Sequence, residues 1–242
     1  MRFSLIIPAR NEEAYLPRLL ETVGVARGRY HGGPDAVEVI VADNVSTDQT
    51  AAVARAHGHR VVDVEKRVIG AVRNAGARAA QGDLLCFVDA DARVHPETFN
   101  AVERLLETGK VVGGASGVRL ERLSAGIVLT LVVMLPIVWL TGMDTGVTFC
   151  RRQDFEAIGG YREDLKFAED VQLLLDLRRL GRRRGQRLGR TRSAKAIAST
   201  RKFDRYGDWH YFPVLARGLR DLLVRPRALE RWAHEYWYSD RR

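Results

Sequence analysis

Between residues 3 and 91, short runs of aliphatic and β-branched residues alternate with stretches of helical character, and this alternation constrains the fold more than any other feature of the chain. In order, the runs are "FSLIIP", a helical stretch over residues 16–25, "VEVIVAD", "TDQTAAVARAHG", "RVVDV", "IGAVRNAGARAAQG" and "LLCFVDAD". Such a pattern predicts an α/β protein, a mostly parallel sheet flanked by helices. Sheets of this kind take their ligands beyond the carboxyl ends of the strands. The conspicuous polar residues sit there: "PARNEE" after the first strand, "DNVSTD" after the second and "DAD" after the fourth.

Beyond Asp91 the pattern loosens to a helix over residues 96–108, a strand "KVVGGASGVRL", an apolar stretch, a strand "GVTFCRR" and helices beginning near Gln153 and Glu169. With 242 residues, 46% of them hydrophobic, the chain can bury one large core. One globular domain is expected over residues 1–205, in two halves, 1–93 and 94–205, followed by a basic, aromatic helical extension over 206–242. The apolar run in "MRFSLIIPARNEE" is too short for a signal-peptide core or an anchor, so a cytoplasmic location is expected. Cys86 and Cys150 have neither metal-ligand spacing nor disulfide density and are expected to be buried thiols. The net charge of +9 is concentrated in "LRRLGRRRGQRLGRTR", residues 177–192. That cluster suits a polyanion, whether nucleic acid, anionic lipid or a diphosphate-bearing substrate, and equally suits a solvated helix end and loop.

Each polar strand end has its own chemistry. Pro17 cannot sit in a helix interior, so the first helix is expected to begin around Ala14, leaving Arg10 to Glu13 in a loop able to hold a ligand. Asn11 and Glu12 would also suit a helix start. Asp43 closes the second strand, where its carboxylate can accept a hydrogen bond from a base imide or a ribose hydroxyl. Ser46 and Gln49 after it fit a capping box. In an extended "VDAD" segment, Asp89 and Asp91 would point to one side and converge on a hard cation that also takes diphosphate oxygens. The alternative is a pair of solvated acids, which repel each other without a cation. Glu169 and Asp170 fall in the first turn of a helix, where the dipole favours acids, and Val171, Leu174 and Leu177 are expected to share its apolar face.

Taken in this order and at these intervals, "IIPARNEE", "VIVADNVSTDQT", "RNAGARAAQGDLLCFVDADARV" and "IGGYREDLKFAEDVQLLLDLRRLG" resemble the family 2 glycosyltransferases of the GT-A fold, over residues 1–205. The resemblance implies a Rossmann-like N-terminal half that binds a nucleotide-sugar, with Pro8, Ala9, Arg10 and Glu12 lining the pocket and Asp43 on the base. It implies that Asp89 and Asp91 form a DxD site for Mn²⁺ or Mg²⁺, with Asp89 also on the nucleotide-sugar, and that Asp170 is the catalytic base. Arg73 and Asn74 match the basic "RN" of the family's third helix and would face the nucleotide, while Arg201 and Lys202 would help stabilise the departing diphosphate. The implied reaction is a metal-dependent, inverting hexosyl transfer from a UDP- or GDP-sugar to an acceptor hydroxyl. Retaining transfer to a small phosphorylated acceptor is the alternative. Two departures stand out: the usual "DDGS" is here "DNVS", placing Asn44 and Val45 where an acid and a glycine are usual, and "STRKFDRYGDW" replaces the processive Q-x-x-R-W signature. A non-processive transferase is therefore expected.

Rival readings explain less. A haloacid-dehalogenase-type phosphatase also carries an apolar run ending in D-x-D, but there the motif opens the core fold, whereas two βα units precede it here. A nucleotidyltransferase would need a glycine-rich phosphate loop, and "PARNEE" has no glycine. A basic nucleic-acid-binding protein leaves Asp43, Asp89, Asp91 and Asp170 unexplained, so no nucleic-acid partner is expected. Residues 123–143, "LSAGIVLTLVVMLPIVWLTGM", carry no charge and meet the length criterion for a membrane span. A crossing there would put Asp91 and Asp170 on opposite sides of a bilayer, and Pro136 interrupts the run. What remains is a core helix or an apolar surface dipping into a membrane interface. The second would suit a lipid-linked or cell-envelope acceptor and peripheral attachment at the inner face of an anionic membrane, with "RWAHEYWYSDRR" supplying interfacial aromatics.

Overall fold

The computed structural model describes residues 1–141, 145–165 and 168–213, with residues 134–141 described by their backbone alone. Along the chain run β1 (Phe3–Ala9), α1 (Leu16–Arg29), a 3-10 turn at Pro34–Ala36, β2 (Val37–Asp43), α2 (Thr50–Ala56), β3 (Arg60–Asp63), α3 (Ile69–Ala79), β4 (Leu84–Phe87) and α4 (Thr98–Glu107). There follow β5 (Val111–Ala115), β6 (Val118–Leu120), α5 (Ala125–Thr141), β7 (Thr148–Arg151), α6 (Arg152–Ala157), α7 (Glu169–Arg183), β8 (Arg187–Arg190), β9 (Ala196–Ala198) and α8 (Arg201–Tyr206). Contacts gather these into two compact units, one of Met1–Arg119 with Met143–Ala198 and one of Leu120–Gly142 with Ser199–Arg242.

The first unit is built on a sheet of order β3-β2-β1-β4-β7-β5-β8. All neighbouring pairs are parallel except those of β7, which runs antiparallel between β4 and β5. Period-two alternation along β1 explains why helices cover both faces. Phe3, Leu5 and Ile7 join Leu16, Leu19 and Val23 of α1 and Phe99, Val102 and Leu106 of α4 in one apolar cluster. Ile6 points the other way, into a cluster with Ala77 of α3, Phe155 of α6 and Leu173 and Leu177 of α7. Gly76 lets α3 press onto β1, since a Cβ there would lie 2.4 Å from Ile6 Cγ2. Arg73, three residues earlier on α3, is thereby carried toward the strand ends.

Strand order reverses between β1 and β4, and such a switch point opens a crevice at the carboxyl edge of the sheet. The pairing Ala9↔Asp43 aligns the ends of β1 and β2 there, and Ile6↔Phe87 ends β4 three residues earlier, so that the segment after Phe87 runs on beside the end of β1.

Several expectations are corrected. The strand read over "KVVGGASGVRL" breaks after Ala115, and Gly117, at φ 75°, turns the chain into β6. The arginine cluster is not simply a helix end and loop: α7 ends at Arg183, with basic residues in its last turn, and Arg187–Arg190 adds an edge strand parallel to β5. Charged side chains on an exposed edge discourage pairing with another chain, so these arginines have a structural role. On α7 the buried face is Leu173, Leu174 and Leu177, while Val171 is 45% exposed. Both cysteines are buried free thiols, as expected, and burial pushes both above the ordinary thiol range.

The second unit contains α5 and α8. Ile127 and Thr130 of α5 are buried, but Val128, Leu129, Leu131, Val132 and Val133 are all exposed, so the described part of α5 is not a core helix. Among the described residues, no helix is long and apolar enough to cross a membrane. Most of the expected extension over 206–242, including "RWAHEYWYSDRR", lies outside the described residues.

Candidate active site

Helix α1 begins at Leu16 with Pro17 in its first turn, which leaves residues 10–15 outside the helix. Asn11 takes φ 53°, a left-handed conformation that asparagine tolerates. From there its amide donates to Ser46 Oγ at 3.0 Å and its Oδ1 accepts from the Thr47 amide at 2.8 Å. The Glu12 amide donates to Thr50 Oγ1 at 2.8 Å, and the Gln49 amide donates to Glu13 Oε2 at 2.9 Å. The loops after β1 and β2 are thus stitched into one ledge beside Pro8, Ala9 and Arg10. This corrects the capping box: α2 starts at Thr50, Ser46 serves the neighbouring loop, and Asp48 Oδ1 accepts from the Thr50 amide at 2.9 Å.

Asp43 is buried at the end of β2. Its Oδ2 accepts from the Ser46 amide at 3.2 Å, whereas its buried Oδ1 has no hydrogen-bond partner among the described residues. A buried carboxylate oxygen without a donor is costly, which makes this atom a place for a ligand's N–H or O–H. Asn44 has a different task. Its Nδ2 donates to the carbonyls of Val64 and Lys66 at 2.7 and 3.1 Å, two bonds that the usual acid could not make when ionised. Val45 stands at φ 55°, a left-handed conformation that strains a β-branched residue. Val45→Gly is expected to stabilise the protein by about 1 kcal/mol, relief of strain exceeding the added freedom of the unfolded chain. Urea denaturation measures it; unchanged or lowered stability would show that the loop holds no such strain.

The centre of the crevice is Arg73, which is only 4% exposed. Its Nη1 donates to Glu169 Oε1 at 2.7 Å and to Asp170 Oδ1 at 2.8 Å, and its Nη2 donates to Asp89 Oδ1 at 2.8 Å. Despite burial, these carboxylates hold the guanidinium well above its ordinary pKa, so it remains a cation. Its buried Nε has no partner among the described residues. Asn74, next on α3, faces a loop instead: Oδ1 accepts from the Tyr161 amide at 2.9 Å, while Nδ2 donates to the Tyr161 carbonyl at 2.8 Å and to Glu163 Oε1 at 3.0 Å. Gly160, at φ 72°, allows that approach, since a Cβ there would lie 2.8 Å from Asn74 Oδ1.

This clamp seats Tyr161, which sequence reasoning misses. Its hydroxyl donates to Asp170 Oδ1 at 3.1 Å, and the Arg73 guanidinium lies 5.2 Å from its ring centroid. Burial, then the Asp170 charge, keep the phenol protonated well beyond its usual range. Desolvation raises the Asp170 carboxyl to about 6 against the pull of Arg73, and Glu169 and Asp89 push it the same way. Its side chain keeps 39% of its surface exposed, so one side is open to a substrate.

Asp89 and Asp91 do not lie on an extended segment. β4 ends at Phe87, and the Ala92 amide donates to the Asp89 carbonyl at 3.0 Å, closing a turn between them. Among the described residues, no three His, Cys, Asp or Glu side chains gather as a metal cage. Hard divalent cations are commonly held by one or two carboxylates plus a substrate's phosphate oxygens, and "DAD" with a diphosphate matches that donor set. Arg201 and Lys202 open α8 in the second unit.

A mostly parallel sheet with acids and a buried arginine at its switch point defines an α/β protein with a polar crevice, and comparison with known proteins gives the class. The chain belongs to glycosyl transferase family 2, whose model matches residues 4–126. Over 112 residues it is 37% identical to the 4,4'-diaponeurosporenoate glycosyltransferase of Staphylococcus haemolyticus, a match covering 43% of this chain and 28% of that protein. The structure of S. aureus TarS in complex with UDP-GlcNAc aligns with a TM-score of 0.64 at 20% identity, covering 83% of this chain and 59% of that one. The mannosyltransferase PcManGT of Pyrobaculum calidifontis, in complex with GDP-Man and Mn²⁺, aligns with a TM-score of 0.63 at 19% identity, covering 81% and 56%. The fold is therefore the GT-A fold, and the chain spans little more than a quarter of that curated relative and under three fifths of these solved chains.

Proposed function

We propose that the protein is a metal-dependent, inverting, non-processive glycosyltransferase that moves a hexosyl group from a UDP- or GDP-sugar to an acceptor hydroxyl. The observation that carries this reading is the pair of 2.8 Å hydrogen bonds from one guanidinium to Asp89 and to Asp170. They keep the DxD carboxylate and the candidate base within a guanidinium's width of each other, as a displacement between diphosphate and acceptor requires. In this reading residues 1–93 hold the donor, with Pro8, Ala9, Arg10 and Glu12 along the nucleotide and the unpartnered Asp43 Oδ1 accepting from its base or ribose. Asp89 and Asp91 would hold Mn²⁺ or Mg²⁺, which when bound offsets the diphosphate's negative charge. Asp170 takes the acceptor proton as that oxygen attacks the anomeric carbon, the bond to the diphosphate oxygen breaks, and configuration inverts. Tyr161 and Arg73 both bind Oδ1 of Asp170, which leaves Oδ2 to receive the proton. Arg201 and Lys202 add positive charge toward the leaving group. The acceptor is a lipid-linked or cell-envelope alcohol, met by an enzyme at the inner face of an anionic membrane.

Calorimetric titration with UDP and GDP, with and without Mn²⁺, tests the donor site. Binding should tighten at least about tenfold with the ion, and Asp91→Ala should remove that increment while leaving the metal-free affinity. An increment that persists in Asp91→Ala would move the ion elsewhere, and no binding of either nucleotide would overturn the reading.

A further inference from the structure

Helix α5 presents a problem that the transferase chemistry does not absorb. Its 17 residues carry no charge, and five consecutive-turn positions, Val128, Leu129, Leu131, Val132 and Val133, are between 37% and 53% exposed. At about 100° per residue these side chains sweep more than half the helix circumference. Ile127 and Thr130, on the remaining arc, are the buried ones. Leu123, just before the helix, is 65% exposed. A helix that is apolar nearly all round needs an apolar surrounding on its outer side, and a partner helix would match only a narrow seam of it.

The unit that carries α5 has the composition of a surface made for lipid. All four tryptophans of the chain, Trp139, Trp209, Trp232 and Trp237, belong to its sequence, and aromatics of this kind favour the boundary between headgroup and acyl chain. Trp209 and Tyr206 are exposed, at 56% and 43%. Lys and Arg outnumber Asp and Glu in the unit by eleven to seven, and none of the excess lies on α5 itself. An uncharged aliphatic face in a unit whose sequence is basic and tryptophan-rich complements an anionic monolayer. A helix of 17 residues extends about 25 Å, short of the roughly 30 Å of a hydrocarbon core, so it would lie in the interface rather than cross it.

We propose that the outer face of α5, centred on Leu129 and Val132, embeds in the interfacial region of an anionic membrane and anchors the protein as an in-plane helix. This rests on the membrane-facing part of the functional reading and assigns it to one surface. The experiment is co-sedimentation of the full chain with vesicles of phosphatidylcholine containing roughly one third phosphatidylglycerol, at low salt. The protein should bind these vesicles, bind pure phosphatidylcholine about tenfold more weakly, and lose affinity as salt rises. Leu129→Gln with Val132→Gln, at exposed positions where folding should tolerate them, should weaken binding about tenfold or more with an unchanged melting temperature. Brominated lipid should quench tryptophan fluorescence in the parent protein and not in that variant.

The inference is overturned if the parent protein fails to bind acidic vesicles at low salt, or if the paired substitution leaves binding unchanged. A parent dimer in sedimentation equilibrium that the substitution makes monomeric, without vesicle binding in either, would assign the face to a second copy and overturn it too. Nucleoside-diphosphate binding, measured on the same preparations, stands apart: if it survives while vesicle binding is absent, the transferase reading holds and only the anchor falls.

Discussion

Asp170→Asn is expected to lower kcat about 10²- to 10⁴-fold while leaving the donor KM within about twofold, because a general base acts in the transition state and the amide cannot take the proton. The asparagine can still accept from Arg73 and Tyr161 through its carbonyl oxygen, so the architecture around it should persist. A second readout separates this role from a structural one. The folded protein holds the Asp170 carboxyl at about 6, above its ordinary 3.8, so its ionised form opposes folding at neutral pH. The parent protein should recover that loss as pH falls through about 6 toward the ordinary carboxylate value. Asp170→Asn should accordingly melt higher than the parent at pH 7, with the difference closing as pH falls through that window. The parent's kcat should decline below about pH 6, and the variant's residual rate should lack that limb. A loss confined to KM, or a variant that melts lower at pH 7, would make Asp170 a binding or structural residue.

Much of the first unit was legible because strands covered on both faces read as continuous apolar runs. β1 and β2 are buried almost throughout, and their limits fall within a residue of the runs "FSLIIP" and "VEVIVAD". β8 was illegible for the opposite reason. It is an arginine-rich edge strand held by backbone pairing to β5, where Gly114 and Gly189 come so close that a Cβ on Gly114 would strike the Gly189 carbonyl. No side-chain pattern announces such a strand. At the crevice, motif spacing located the acids but not their geometry. The turn between Asp89 and Asp91 ends the period-two logic of a strand, and the union of Arg73 with Asp170 joins residues 97 positions apart. Tyr161 lies nine positions before Asp170 in sequence, and only the Asn74 clamp and the glycine turn before it bring its hydroxyl there. Local propensity carries no signal for contacts of that kind. On α5, an uncharged run predicts a helix but not its surroundings, and the exposure of Leu129 and Val132 decides against the core.

Arg73→Met should destabilise the protein by about 3–5 kcal/mol at neutral pH, since removing one partner of a buried ionic cluster leaves the others without compensation. Methionine approximates the length of the side chain and fits beside the ring of Tyr161, so the loss would be one of charge and hydrogen bonds more than of volume. Glu169 should account for much of it, because its side chain is 11% exposed while that of Asp89 is 61% exposed and can turn to water. Arg73→Met with Glu169→Gln should therefore recover part of the loss, giving a coupling energy of about 1 kcal/mol or more in a double-mutant cycle. Arg73→Lys should fall between parent and Met variant, because an ammonium keeps the charge but lacks the planar fork that here serves three carboxylates. Acid should narrow the gap between Arg73→Met and the parent as the stranded carboxylates take up protons. Activity should fall even in urea-free buffer where the variant is still folded, since Asp170 loses one of the two groups that hold Oδ1 and Asp89 loses its tether. Urea denaturation across pH, with kcat measured alongside, reads all of these. A loss below about 1 kcal/mol with no pH dependence would mean that water already solvates the carboxylates and that the guanidinium does not organise the site.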